Sequence, residues 1–534
     1  MANIKISQLP LATSPLDSTV EMPVVQGGVT KRAGMTTIGF LQAGTGAVLR
    51  TSQDKMRDTV SVKDFGAVGD GVANDAGAVQ AAIDYAETFA EGAQVLFPAG
   101  KYRVDSTVSV LKSGVNLIGE SRIASWIING TTNAPAIDFG DGTNTYARCG
   151  VEKMAFGQAS GVTPVAGNCG LRLRKCSNFV LNDVQALQFP ASLYDGVVFD
   201  NVTQSYVTNI GLQTCINAAW IMRNNTFGIF ATNGRCDTSA YGMFIRDCQG
   251  LYISNFDNFG NSISAFDIGH DGAGDTRYMF FTNCIGDTSG SHNWNITELE
   301  IGRFTNCWAA TQTDQTTAPA SDGFRLSGAK VVDIGFSNCV AISNNRHGIN
   351  LDYAAKVSVQ GCALGSNFAP AAFGGKGPGN GLGSGGGSGI AVGASSSRIR
   401  INGGVFDNNQ SYGAAVASGA QKVDIFGVEM RDNVLGRILN NANATTAECS
   451  ISRVGGFNPV GFITAPTVPA SNTAITNLTG VDVMVYLTGG TLTGNVQIGG
   501  HGVAAFTNTG YLLPAGSTIR LTYSSAPTWT WNGN

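Results

Sequence analysis

The chain has 534 residues, a formal net charge of -4, 43% hydrophobic and 13% charged residues, and 71 glycines. This balance excludes a disordered chain, and its scattered polar residues leave no apolar run long enough for a membrane helix. Glycine at about twice its usual share without a G-X-Y period excludes collagen and demands many tight turns, while the absence of a Lys/Arg cluster argues against nucleic acid as a partner.

Met1 to Pro10 carries neither the basic region nor the apolar stretch of a secretion signal, so folding in a reducing cytoplasm is expected. The eleven cysteines agree with this: none forms a CxxC pair, and the nearest two are Cys169 and Cys176. Free buried thiols are therefore expected, rather than zinc ligands or disulfides. Further on, Asn74-Asp75 precedes a helical pattern, with Asp75 placed as N-cap and Val79, Ile83, Ala86 and Ala90 on one face. Asp64 and Asp70 read as turn residues.

From about residue 150 the chain repeats. Phe304-Thr305-Asn306-Cys307, Phe336-Ser337-Asn338-Cys339, Phe281-Thr282-Asn283-Cys284 and Val359-Gln360-Gly361-Cys362 share one phase, which pattern extends to Phe156, Val184, Cys215, Phe256, Phe406 and Met430. A second landmark, a small residue before alternating apolar positions, keeps step with it: Gly170-Leu171, Gly196-Val197, Gly242-Met243, Gly323-Phe324, Gly348-Ile349, Gly389-Ile390, Gly413-Ala414 and Gly436-Arg437. A unit of about 23 residues with three short period-2 runs suits one rung of a three-sided parallel β-helix, longer intervals being loops at the corners. The leucine framework of a leucine-rich repeat and the hairpins of a propeller are missing. Ala465 to Ala474, with Pro466 and Pro469, reads as a linker. The expected division is residues 1–58 as an N-terminal anchoring segment, 59–464 as the β-helix with its leading helix as a cap, and 465–534 as a small β-rich domain for trimerisation or carbohydrate binding.

The stretch Lys63-Asp64-Phe65-Gly66-Ala67-Val68-Gly69-Asp70-Gly71, with Asn74-Asp75, Ala81-Ala82-Ile83 and Phe97-Pro98-Ala99-Gly100-Lys101-Tyr102, resembles the entry segment of the pectate-lyase-like right-handed β-helix superfamily. Ile6-Ser7-Gln8-Leu9-Pro10 through Lys31 is similar to the virion-anchoring segments of phage tail spikes. Leu513 to Ser517 and Leu521 to Trp531 resemble their small C-terminal β domains. The resemblance implies an all-β, right-handed, single-stranded parallel β-helix in a homotrimeric phage tail spike. Such a spike is attached to phage tail or baseplate proteins through its N-terminus, is part of the virion, and binds and usually cuts a bacterial surface polysaccharide.

Because a β-helix fills its interior with stacked side chains, chemistry belongs on its outer wall, where equivalent positions of successive rungs lie about 4.8 Å apart. Aligning Trp294-Asn295-Ile296 with Phe324-Arg325-Leu326 stacks His292, Asp322 and His347 in three consecutive rungs. This is an uneven use of four histidines. Ser321-Asp322-Gly323 resembles one motif of the galacturonan-hydrolysing branch, but the expected aspartate pair is replaced by Arg346-His347.

Glycoside hydrolysis, placed first, would pair Asp322 with Glu298 or Glu300. A uronate lyase would use His292 or His347 as base and Arg325 as the neutralising cation. A non-catalytic receptor-binding spike is the third reading. Arg325, Asn350, Trp294 and Trp308 are the candidate substrate-binding residues, the tryptophans as sugar-stacking surfaces. The glycine-rich run from Phe373 to Gly389 lacks a Gly-Lys-Ser/Thr ending and reads as a corner insertion. Asp267, Asp271 and Asp275 read as a solvated loop, and no metal or cofactor is expected.

Overall fold

A computed structural model describes residues 21–34, 38–272, 274–312, 321–365, 367, 387–442, 449–452, 454, 462–479 and 482–533. Its body is a single 37-stranded sheet with parallel pairing, coiled into a solenoid. One inward column runs from Val60 through Val95, Leu117 and Val151 to Phe281, Phe304, Phe336 and Val359, ending at Ile451. The rung is 22 residues long between Val95 and Leu117 and 42 between Val359 and Ile401.

The interior carries an aromatic stack. Trp294 lies 3.7 Å from Phe266 and 5.4 Å from Phe324, ring centroid to centroid, and Phe281, Phe304 and Phe336 stack beside them. All eleven cysteines are free and ten are buried. Cys284, Cys307, Cys339 and Cys362 occupy equivalent inward positions of successive rungs, each thiol donating to a backbone carbonyl.

The Asn of the recurring phrase has its own cause. Asn283, Asn306 and Asn338 turn the corner at φ 53°, 53° and 52°, the left-handed region that asparagine tolerates better than most residues. Asn306 Nδ2 donates to Asn283, Asn283 to Asn255, and Asn255 to Asn233, each at 3.2 Å, forming an outer amide chain. A buried chain runs the other way: Asn293 donates to Asn344, Asn344 to Asn367, Asn367 to Asn409, and Asn409 to Asn433.

Several expectations shift: Ile210 rather than Cys215 continues the Val184 column, and Phe406 and Met430 align with Leu364 rather than with Cys362. Gly436 pairs with Tyr412, so Ile438 rather than Arg437 continues the Ala414 column. Met154 rather than Phe156 is the register partner of Val184.

The helix spans Ala76–Glu87 and stops short of Ala90. It packs Val79, Ile83 and Ala86 against the first strands. Asp75 occupies the N-cap position without capping. Its carboxylate instead accepts Val68 N–H (2.7 Å) and Gly69 N–H (2.9 Å), while Asn74 Oδ1 accepts Ala76 N–H. Residues 462–479 and 482–533 contribute small antiparallel sheets around Val485, Leu513 and Trp531, and Phe462–Ile463 pairs with Thr528–Gly533. Among the described residues no helix is long and apolar enough to cross a membrane.

Candidate functional site

The ladder stacks His292, Asp322 and His347 as the alignment required: Trp294 pairs with Phe324 and Phe324 with Ile349, and Asn293 and Gly323 bond to the carbonyls of Asp322 and His347. What the stack does there is structural. Asp322 is fully buried, and its carboxylate accepts both arms of the Arg346 guanidinium, the backbone N–H of His347 (3.1 Å) and Asn350 Nδ2 (2.9 Å). Burial alone would raise its pKa, but Arg346 and the neighbouring histidines outweigh this and hold it below the usual carboxylate range.

Each histidine accepts a backbone N–H from the next rung at Nδ1, His292 from Asp322 (2.9 Å) and His347 from Ser388 (3.1 Å). An accepting Nδ1 leaves the neutral ring with its proton on Nε2, so neither histidine presents a free basic nitrogen. Burial pushes both down to about 4. The lyase arrangement read from the sequence therefore lacks its base, and Asp322 is closed to a substrate. Asn350, also buried, is spent on Asp322, and Arg325 lies 3.4 Å from Asp352. Trp294 is core, not a sugar platform, and its indole N–H donates to the Trp308 carbonyl. Trp308 is half-buried on the wall beyond the asparagine corner.

Glu298 and Glu300 lead elsewhere, to an open pocket of about 280 Å³ lined with them by Asp275, Thr276, Ala329, Lys330 and Val332. The strand Trp294–Ile296 ends at this corner and Leu299–Thr305 begins the next wall. Ile296 and Leu299 point inward, and Glu298 between them is itself 3% exposed. Lys330 reaches Glu298 because the strand Phe324–Ser337 bulges. Ile296 and Leu299 pair with Leu326 and Val331, so two extra residues stand out of the ladder there.

Lys330 Nζ lies 3.4 Å from Glu298 Oε1 and 3.6 Å from Asp275 Oδ1. His270 Nε2 lies 3.4 Å from Glu298 Oε2, and Thr276 N–H donates to Oε1. Hydrogen bonding to Glu298 raises the Lys330 pKa, so the amine stays protonated. The sequence reading missed Lys330 and His270. The lengthened interval from Leu326 to Val331 was the available signal for Lys330; nothing marked His270. Asp267, read as solvated, is buried against Arg246, and no group of metal-binding side chains occurs among the described residues. The glycine-rich run falls almost wholly outside the described residues.

Residues 59–311 match the family model "Rhamnogalacturonase A/epimerase, pectate lyase-like". The tail spike protein of Shigella phage Sf6 is 38% identical over 90 residues, 16% of this chain and 14% of that protein, so the chain spans only a small part of that relative. Among solved structures, tailspike protein 3 of bacteriophage CBA120 has a TM-score of 0.59 at 13% identity, covering 85% of this chain and 75% of that one. The tailspike of E. coli bacteriophage HK620, solved with a hexasaccharide, has a TM-score of 0.53 at 14% identity, covering 93% and 97%. The parallel β-helix expected from the sequence is borne out by the solenoid and by these two structures, and the pectate-lyase-like likeness of its entry segment by the family match; the tail spikes are what the chain is similar to.

Proposed function

We propose that this chain is a virion-borne tail spike, homotrimeric and joined to the phage tail through its N-terminus, that binds a bacterial surface polysaccharide and cleaves it by glycoside hydrolysis in the Glu298 pocket. The observation that carries the chemistry is the position of Lys330. An ammonium 3.4 Å from Glu298 and 3.6 Å from Asp275 requires the two carboxylates to lie within about 7 Å of each other, a spacing compatible with a hydrolytic pair. One carboxyl gives its proton to the glycosidic oxygen as the bond to the anomeric carbon breaks, while the other, ionised, takes a proton from the water that adds to that carbon. Glu300 offers a third carboxylate at the rim. Elimination led by the histidine column or by Lys330 is disfavoured, because His292 and His347 have their Nδ1 atoms occupied and Lys330 is held protonated, which leaves His270, whose Nδ1 donates to the Gly272 carbonyl, as the base an elimination at this pocket would use.

Incubating the protein with polysaccharide from its host and counting new reducing ends tests this. Glu298→Gln and Asp275→Asn are each expected to lower the rate at least ~100-fold with assembly unchanged. A polymer left at full length by the unaltered protein, or products absorbing near ~235 nm as conjugated uronates do, would overturn hydrolysis.

A further inference from the structure

Beyond the Glu298 pocket the outer wall carries a group of cations with no carboxylate set against them. Val332, at the pocket rim, pairs with Ala355 on the next rung, and the residues that follow them, Asp333 and Lys356, stand opposite each other. Arg398 takes the Lys356 position one rung further on, and Arg400 lies two residues along the same strand. Lys356, Arg398 and Arg400 are all exposed.

Elsewhere on the solenoid arginines are paired, Arg246 with Asp267, Arg303 with Asp333 and Arg346 with Asp322. Here the carboxylates next in register are engaged by other groups. Asp333 holds Arg303 at 2.7 Å, and Asp424, the register partner of Arg400, accepts the Ser450 hydroxyl at 2.7 Å. Among the described residues Lys356, Arg398 and Arg400 form no ion pair. Like charges on strands about 4.8 Å apart repel, so the group is stabilised by a counter-charge brought from outside.

We infer that Lys356, Arg398 and Arg400 hold the carboxylates of an acidic polysaccharide that lies lengthwise along the solenoid and reaches the Glu298 pocket at one end. This rests on the polysaccharide reading above and gives it a substrate class and a direction. The rung spacing of about 4.8 Å is close to the length of one sugar unit in an extended chain, so charges on successive units can meet cations on successive rungs. The next outward column supplies what hydroxyls and ring faces require: the exposed amides of Gln360 and Asn402, then the ring of Phe426, 43% exposed, on the third rung. Because the cations face water, the attraction is screened by salt.

Binding to the full chain carrying Glu298→Gln, which spares the ligand from cleavage, tests the assignment. The ligand is host polysaccharide before and after reduction of its carboxyl groups to alcohols. Reduction is expected to weaken binding at least tenfold. Lys356→Gln, Arg398→Gln and Arg400→Gln together should weaken binding of the untreated polymer at least tenfold and flatten its salt dependence, while Arg398→Lys, which keeps the charge, binds as the parent does. Equal binding before and after reduction overturns the acidic substrate. A loss on reduction with no loss in the triple variant overturns the role of these residues. Equal affinity for duplex DNA overturns the glycan in favour of any polyanion. Binding as expected by a parent chain that leaves the polymer at full length overturns hydrolysis alone, and no binding to either polymer overturns both readings.

Discussion

Arg346 closes both arms of its guanidinium on the Asp322 carboxylate, with Nε 2.7 Å from Oδ1, and the acid lies wholly inside the protein. Such a pair contributes little when whole and costs much when halved. Arg346→Leu, which strands the buried charge, is expected to lower stability by about 3–5 kcal/mol. Asp322→Asn, which keeps an acceptor for the His347 N–H, should cost about 1–3 kcal/mol. Urea unfolding of the two variants checks the order.

His292 and His347 set an acid limit. Both are pushed down to about 4 from 6.5, so between those values the unfolded chain binds protons that the folded chain does not. Stability is complete above pH 6.5 and falls as pH drops through that window. Asp195, raised to about 6 by burial, works in the opposite direction over most of it. The comparison that isolates the histidines is His292→Gln with His347→Gln, whose melting temperature should fall less between pH 6.5 and 4 than that of the parent.

At the asparagine corner, Asn306→Gly and Asn306→Val separate backbone from side chain. Valine at φ 53° meets the left-handed penalty of roughly 1–2 kcal/mol and also loses the amide bond to Asn283, whereas glycine loses only the bond. Valine should therefore lower the urea midpoint more than glycine does.

The two tryptophans should part company. Trp294→Ala removes the centre of a packed stack and is expected to cost about 3–5 kcal/mol, while Trp308→Ala, half-exposed on the wall, should cost much less. Polysaccharide affinity of Trp294→Phe, which preserves the stack, should stay at the parental level in a binding titration.

Much of the register is legible in the amino-acid sequence. Aligning Trp294-Asn295-Ile296 with Phe324-Arg325-Leu326 is correct, and so is the phase of the four cysteines. The same alignment already put Trp294 over Phe324, on the inward column, and reading it as a sugar surface let side-chain chemistry override geometry. Arg346 was read as the loss of an aspartate, although an arginine beside a buried acid is also that acid's partner. What a linear pattern cannot carry is the depth of a corner. Asp322 and Glu300 are both carboxylates near rung ends, and only the packed structure buries one and leaves the other at a pocket rim. The bulge that delivers Lys330 breaks the very period on which the reading relied.

The two asparagine chains point in opposite senses along the solenoid. Each is a file of aligned amide dipoles, one donating from Asn306 back to Asn233 and the other from Asn293 on to Asn433, so the two diverge from one level of the solenoid. Hydrogen bonds in such files reinforce one another, which ties neighbouring rungs together under a pull along the long axis. The rungs that these files join are thereby stiffened without a charged seam.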